Sequence, residues 1–124
     1  DVLNIIKPPF NVNEVAQLAA IESLKDKKFL SQSIKHNLIY ATKIKNFLKN
    51  YQIYSNEVSA NFLLLDFSKC KFKAKYFYKK LKEKGIILRS TEEGYKIKNM
   101  LRLTIGSKIE NINFMKSVKN IFNK

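Results

Sequence analysis

Arginine is almost missing from this chain: of 24 basic residues only Arg89 and Arg102 are arginines, and the rest are lysine. Cysteine and histidine occur once each. The lone Cys70 has no partner for an internal disulfide and none at metal-ligand spacing, so a reducing compartment is the default and no metal is expected. There is no Gly-rich phosphate loop, no His-x-x-x-His and no local Cys–His pair, which excludes the common catalytic constellations. Catalysis by these residues alone is not expected. His36 is read as a solvent-facing helix residue and Cys70 as a small loop residue, not a nucleophile. No apolar run approaches the roughly 20 residues that cross a bilayer, and the opening Asp1-Val2-Leu3-Asn4 lacks a basic start followed by an apolar stretch. The expectation is a cytoplasmic protein with no membrane partner.

What is present argues against disorder of the whole chain. A length of 124 residues with 45% hydrophobic content fits one domain with a modest core. The net charge of +14 first suggests nucleic acid, because clustered lysines release counterions from a phosphate backbone. The distribution weakens that reading. Lysines are scattered, and the densest patch, Lys69 to Lys84, interleaves with Phe72, Tyr76, Phe77 and Leu81 at amphipathic-helix spacing, so these aromatics are read as core. A basic nucleic-acid-binding module is the runner-up from another functional class; tight, salt-resistant DNA binding would favour it.

The segment 1–10 is read as extended, since Pro8 and Pro9 restrict the backbone. Helix is predicted from about Asn13 to Lys25, capped by Asn11 or Asn13, with the Ala19-Ala20 pair suggesting close packing. A longer helix from about Lys27 to Asn50 carries Leu30, Ile34, Leu38, Ala41, Ile44, Leu48 and Tyr51 at helical intervals. The period then changes. Gln52 to Tyr54 and Asn61 to Phe67 read as strands, the second buried on both faces. Helix returns from about Lys71 to Lys84 and stops at Gly85, which suits the left-handed position after a helix end. Strands Ile86 to Ser90 and Met100 to Ile105 follow, joined by a turn at Glu92-Glu93-Gly94. The final helix opens on the capping box Ser107-Lys108-Ile109-Glu110 and shows Ile112, Met115, Val118 and Phe122 on one face. The order ααββαββα implies an α+β fold, a small sheet with helices packed on it in one compact domain.

The two arginines sit where chemistry could be built. In Met100 to Ile105, Leu101, Leu103 and Ile105 alternate onto one face, which leaves Arg102 and Thr104 on the other. Arg89 lies at a strand end, and the helix after Gly106 offers backbone N–H groups nearby. A guanidinium presents a planar fork that grips a carboxylate or phosphate bidentately, as a lysine cannot. The competing reading is that each arginine pairs with a neighbouring glutamate, such as Glu92 or Glu93, and does nothing further.

Four blocks in order resemble the small domain of the histidinol-phosphate aminotransferases. They are Lys7-Pro8-Pro9-Phe10-Asn11-Val12-Asn13 with Ala16-Gln17 and Ala19-Ala20, then Ser59-Ala60-Asn61-Phe62, Gly85-Ile86-Ile87-Leu88-Arg89, and Leu101-Arg102-Leu103-Thr104-Ile105-Gly106. Phe10 stands where the family usually has tyrosine. The resemblance covers essentially the whole chain. It implies the C-terminal small domain of a fold type I, pyridoxal-phosphate aminotransferase, which moves an amino group between histidinol phosphate and 2-oxoglutarate in histidine biosynthesis. Threonine-phosphate decarboxylase, whose small domain shares these blocks, is the alternative within the fold.

By the same resemblance Arg102 grips the substrate's anionic group, phosphate or carboxylate, and Arg89 helps bind it or closes the site. Asn61 is either a wall of the active site or a buried strand cap, with the cap preferred. Residues 1–12 become an extended linker from a missing large domain, and residues 13–124 the small domain. The groups that hold pyridoxal phosphate belong to that large domain, so no cofactor is expected on this chain, which is expected to be inactive alone. The complete enzyme is expected to be a homodimer.

Overall fold

The computed structural model describes residues 2–9, 11–58 and 60–123. Phe10 and Ser59, which belong to the first two resemblance blocks, lie outside the described residues, as do Asp1 and Lys124. The elements run α1 (Val2–Ile6), α2 (Glu14–Lys25), α3 (Lys27–Lys49), β1 (Tyr54–Ser55), β2 (Phe62–Asp66), α4 (Ala74–Lys82), β3 (Arg89–Ser90), α5 (Glu92–Tyr95), β4 (Met100–Thr104) and α6 (Lys108–Phe122). The eight predicted elements appear in order, with two short helices added. The opening segment is helical at Val2–Ile6, not extended. Each proline restricts itself and the residue before it, so Lys7 is barred from helix while the residues upstream are free.

The single-domain expectation meets a division into two compact units, Asp1–Ser33 and Ile34–Lys124. In the first, Asn13 caps α2, its side-chain oxygen accepting from the Ala16 N–H at 2.8 Å. No residue of α2 is buried, and Ala19 and Ala20 are exposed, so the predicted close packing of that pair does not occur. Apolar periodicity marks a face able to pack; it does not supply the surface that covers it.

The second unit holds the core. Strands β2 and β4 pair antiparallel over their whole lengths at the centre of a sheet ordered β1-β2-β4-β3. Leu63 and Leu65 face Leu103 and Leu101 across that ladder, and all four are buried. Onto them pack Ala41, Ile44 and Leu48 of α3, Phe77 and Leu81 of α4, and Phe114, Val118 and Ile121 of α6. On β2 only alternate residues are buried, and Phe62, Leu64 and Asp66 are half-exposed, so the strand is not buried on both faces. Its apolar run outlasts its covered face, since Phe62 and Leu64 share the half-exposed face with Asp66. Tyr76 is exposed and stacks on Phe72 at 4.8 Å outside the core. On α6 the innermost residues are Asn111, Phe114, Val118 and Ile121, whereas Ile112, Met115 and Phe122 sit at its half-buried margin. Two apolar stripes adjoin on that helix, and the sheet selects one.

The turns follow their chemistry. Helix α4 ends in a Schellman arrangement: the Ile86 N–H donates to the Leu81 carbonyl at 3.0 Å, the Gly85 N–H to the Lys82 carbonyl at 3.0 Å, and Gly85 has φ of 75°. That turn spends the Ile86 amide away from the sheet, and the predicted strand Ile86–Ser90 shortens to Arg89–Ser90. The predicted turn at Glu92-Glu93-Gly94 is the helical turn α5. Buried Thr91 pins it, sharing its hydroxyl proton between the carbonyls of Ile97 at 2.8 Å and Met100 at 3.0 Å. Asn99, in the left-handed region at φ 58°, caps α4 from a distance by accepting the Ala74 N–H at 2.8 Å. At α6 the capping box forms in full, with the Ser107 N–H donating to Glu110 at 2.7 Å and the Glu110 N–H to the Ser107 hydroxyl at 3.4 Å.

Two predictions test these ends. Gly85→Ala destabilises the chain by about 1 kcal/mol, because a Cβ strains the left-handed backbone although nothing lies within 4 Å of it. Gly94→Ala, equally uncrowded and at negative φ, is neutral or stabilising by roughly 0.5 kcal/mol; urea unfolding of both variants checks the contrast. Hydrogen bonding to Ser107, through the hydroxyl first and the backbone N–H second, holds the Glu110 carboxyl below its ordinary range. A depressed folded-state pKa stabilises the fold above the unfolded value and stops doing so as pH falls through the folded one. Glu110→Gln therefore melts below wild type at neutral pH, and the gap narrows as pH drops below about 4.3. A gap that persists in acid would assign the effect to side-chain shape, not charge.

Candidate anion-binding site

Strand alternation decides where the arginines go. With Leu101 and Leu103 committed to the core, Arg102 emerges on the uncovered face, beside its register partners Leu64 of β2 and Arg89 of β3. Arg89 and Arg102 are thus directly opposed across two paired strands. Like charges in that arrangement repel and destabilise a sheet.

Neither is held by a carboxylate among the described residues. Among the described residues neither arginine forms an ion pair, and the ion pairs the structure contains, Lys25–Glu22, Lys45–Glu57 and Lys80–Glu83, all use lysine. The pairing of Arg89 or Arg102 with Glu92 or Glu93 is absent: those glutamates start α5 instead, where carboxylates suit the positive end of the helix. What accompanies each guanidinium is an aromatic ring, Phe62 at 5.2 Å from Arg102 and Tyr95 at 5.7 Å from Arg89. The Nε of Arg102 is buried and has no hydrogen-bond partner.

An open groove of about 840 Å³ brings the two arginines together with Lys84, Thr104, Gly106 and Asn111. It exists because β3 pairs with β4 only at Arg89 and Ser90, so the β4 edge toward Thr104 has no strand beside it there. Gly106 closes one end. Its N–H donates to Asn111 Oδ1 at 3.1 Å, and its carbonyl accepts from Asn111 Nδ2 at 2.8 Å. A Cβ at Gly106 would meet Glu110 Oε2 at 2.8 Å, which reserves the position for glycine.

Three expectations change. The amides offered after the strand are fewer than expected, because those of Gly106, Ser107 and Glu110 are taken by Asn111, Glu110 and Ser107, which leaves those of Lys108 and Ile109 in the first turn of α6. His36 is half-buried instead of solvent-facing: its Nε2 lies 2.9 Å from the Gly106 carbonyl, which can only accept, so that nitrogen carries the hydrogen. Asn61 is exposed at the head of β2 and not a buried cap; its backbone carbonyl takes the Ile105 N–H at 2.8 Å, and its side chain is outside the groove. Cys70 keeps a thiol pushed up by burial, with the Phe72 N–H 3.4 Å from its sulfur, which opposes a nucleophilic role.

The groove collects the cations Arg89, Arg102 and Lys84 beside the Thr104 hydroxyl, the chemistry that binds a phosphate or carboxylate, while its own carboxylate, Glu110, is tied into the cap of α6. Phe62, Tyr95, Lys84 and Asn111 were not singled out from sequence as site residues. Only the strand register and the fold of α6 bring them near the arginines, and no spacing along the chain encodes that.

Known proteins agree with this architecture. Over 121 residues the chain is 62% identical to a histidinol-phosphate aminotransferase from Pelagibacter ubique, covering 98% of this chain and 34% of that relative. A Parabacteroides distasonis protein of the same name is 34% identical and is likewise covered over 34% of its length. The chain thus spans about a third of the relatives it matches. The crystal structure of a histidinol-phosphate aminotransferase from Clostridium acetobutylicum superposes with a TM-score of 0.85 at 22% identity, covering 98% of this chain and 36% of that one, and shares the fold. No helix among the described residues is long and apolar enough to cross a membrane. With the model of the aminotransferase class I and II family matching residues 1–118, this chain belongs to that family.

Proposed function

We propose that this chain is the C-terminal substrate-binding domain of a pyridoxal-phosphate-dependent aminotransferase most like histidinol-phosphate aminotransferase, and that its groove holds the anionic end of the substrate. The carrying observation is the opposed pair Arg89 and Arg102, two guanidiniums in register with no carboxylate between them. Such a pair lowers stability unless an anion joins it, and a doubly charged phosphate or the carboxylate of 2-oxoglutarate supplies that anion. Arg102 is the principal clamp and Arg89 its neighbour; Asn61 stands outside the groove and carries less of the reading.

The groove does not fit the cofactor. Pyridoxal phosphate needs an amine to form its imine and a carboxylate for its ring nitrogen. The groove's carboxylate, Glu110, is engaged in the cap of α6, and its lysine, Lys84, is exposed. The residues here bind and orient one end of a substrate; the chemistry at its amino group falls to a large domain preceding residue 13, with residues 1–12 as the connection. The exposed Val15, Leu18 and Leu24 of α2 suit a surface that such a domain covers. The complete enzyme is proposed to be a cytoplasmic homodimer acting in histidine biosynthesis.

Within the complete enzyme, Arg102→Lys lowers kcat/KM for the anionic substrate by about 10- to 100-fold, since charge-assisted hydrogen bonds contribute roughly 1.5–3 kcal/mol and the bidentate geometry is lost. An unchanged kcat/KM overturns the assignment. The chain by itself shows no transaminase activity and no internal-aldimine absorbance with pyridoxal phosphate. A yellow adduct traced by mass to one lysine would contradict that.

A further inference from the structure

The two arginines are held, and the groups that hold them are not the ones that usually hold arginine. Beneath Arg102, the ring of Phe62 lies 5.2 Å from the guanidinium carbon; beside Arg89, the ring of Tyr95 lies at 5.7 Å. Both distances fall within the reach of a cation–π interaction. Phe62 pairs with Thr104 and Leu64 with Arg102, so Phe62 and Arg102 are diagonal neighbours on one face of the central ladder, within reach for side chains of this size. Arg102 Nε is buried without a hydrogen-bond partner, so no acceptor fixes the inner edge of its guanidinium.

A carboxylate and an aromatic ring hold a guanidinium in different ways. A carboxylate takes two N–H donors in the plane of the fork, the donors a substrate phosphate would use. A ring meets the cation through its face and leaves the in-plane donors open. From this we infer that Phe62, and secondarily Tyr95, are positioning residues for the anion site: they orient and partly offset two opposed cations while keeping the N–H forks free for the ligand. The inference rests on the reading of the groove as an anion site and adds to it a reason why the repelling pair stays in place without an acid. The energetic consequence is pre-organisation. A long side chain already fixed loses less freedom when the ligand arrives.

Because the chain has only two arginines, its Nε–Hε spectrum contains two side-chain signals, a direct readout of each guanidinium. The experiment titrates inorganic phosphate into the 15N-labelled chain and into its Phe62→Leu, Phe62→Tyr and Arg102→Lys variants. In wild type both signals shift with phosphate. In Phe62→Leu the Arg102 signal loses its ring-current displacement and the midpoint for phosphate rises by roughly threefold, whereas Phe62→Tyr, which keeps the ring face, restores both. A Phe62→Leu protein with an unmoved Arg102 signal and midpoint, alongside an Arg102→Lys protein that no longer binds, overturns the role of Phe62 and leaves the anion site standing. Arg102→Lys binding phosphate as well as wild type overturns the site and this inference with it. Should Phe62→Leu fail to fold, the wild-type nuclear Overhauser contact between the Phe62 ring and Arg102 Hε decides, and its absence overturns the inference.

Discussion

The antiparallel pairing of β2 with β4 is the constraint on which the rest depends. Four leucines, Leu63, Leu65, Leu101 and Leu103, meet across it and are buried almost completely, so they fix both the register and the face that α3, α4 and α6 must cover. Side chains alternate along a strand, and a slip of β4 by one residue would turn Leu101 and Leu103 out of the core while burying Arg102. The position of the arginine is therefore a by-product of hydrophobic burial. The core places the charge on the open face without any polar contact having to pull it there.

That placement is locally unfavourable. Arg89 and Arg102 oppose one another, and the acidic residues within reach in sequence are engaged elsewhere: Glu92 and Glu93 in the first turn of α5, Glu110 in the cap of α6. A sheet selected for stability alone would put a carboxylate at one of these positions, as cross-strand pairs commonly do. Local rules are most often broken at functional sites, which supports the proposed anion-binding role. The surrounding devices are rigid. Thr91 ties the α5 turn to β4, Asn99 caps α4 from the far side of the loop, and the Gly106 peptide is held by Asn111 and His36. Of these anchors, Gly106 and Asn111 belong to the wall of the groove itself.

The remaining charge behaves differently. Lys45, beside Glu57, and Lys80, beside Glu83, are half-buried and Lys25 is exposed, and pairs with this much solvent around them contribute little stability. The lysines of α4 line its outer side while Phe77 and Leu81 occupy its inner one, the arrangement expected of a solvated helix face. On the first unit no apolar residue of α2 is buried, so the hydrophobic effect that closes the core of Ile34–Lys124 has no counterpart there.

Much of the fold was legible in the sequence because its signals are local. The asparagine cap of α2, the glycine stop of α4, the capping box of α6 and the alternation around Arg102 each involve residues a few positions apart, and each appears as expected. The resemblance blocks likewise singled out Arg102 and Arg89. What the sequence could not decide involves partners distant along the chain: which stripe of α6 turns inward, how far β3 extends, whether Asn61 is buried, and where His36 points. These depend on register and on which surfaces find cover, and burial is settled only when segments meet. The sequence by itself determined that two arginines stand out from a lysine-rich chain on strands with a core face. Only the tertiary structure set them opposite each other, each beside an aromatic ring and, among the described residues, in no ion pair, because strand pairing brings together residues 13 positions apart that no local rule connects.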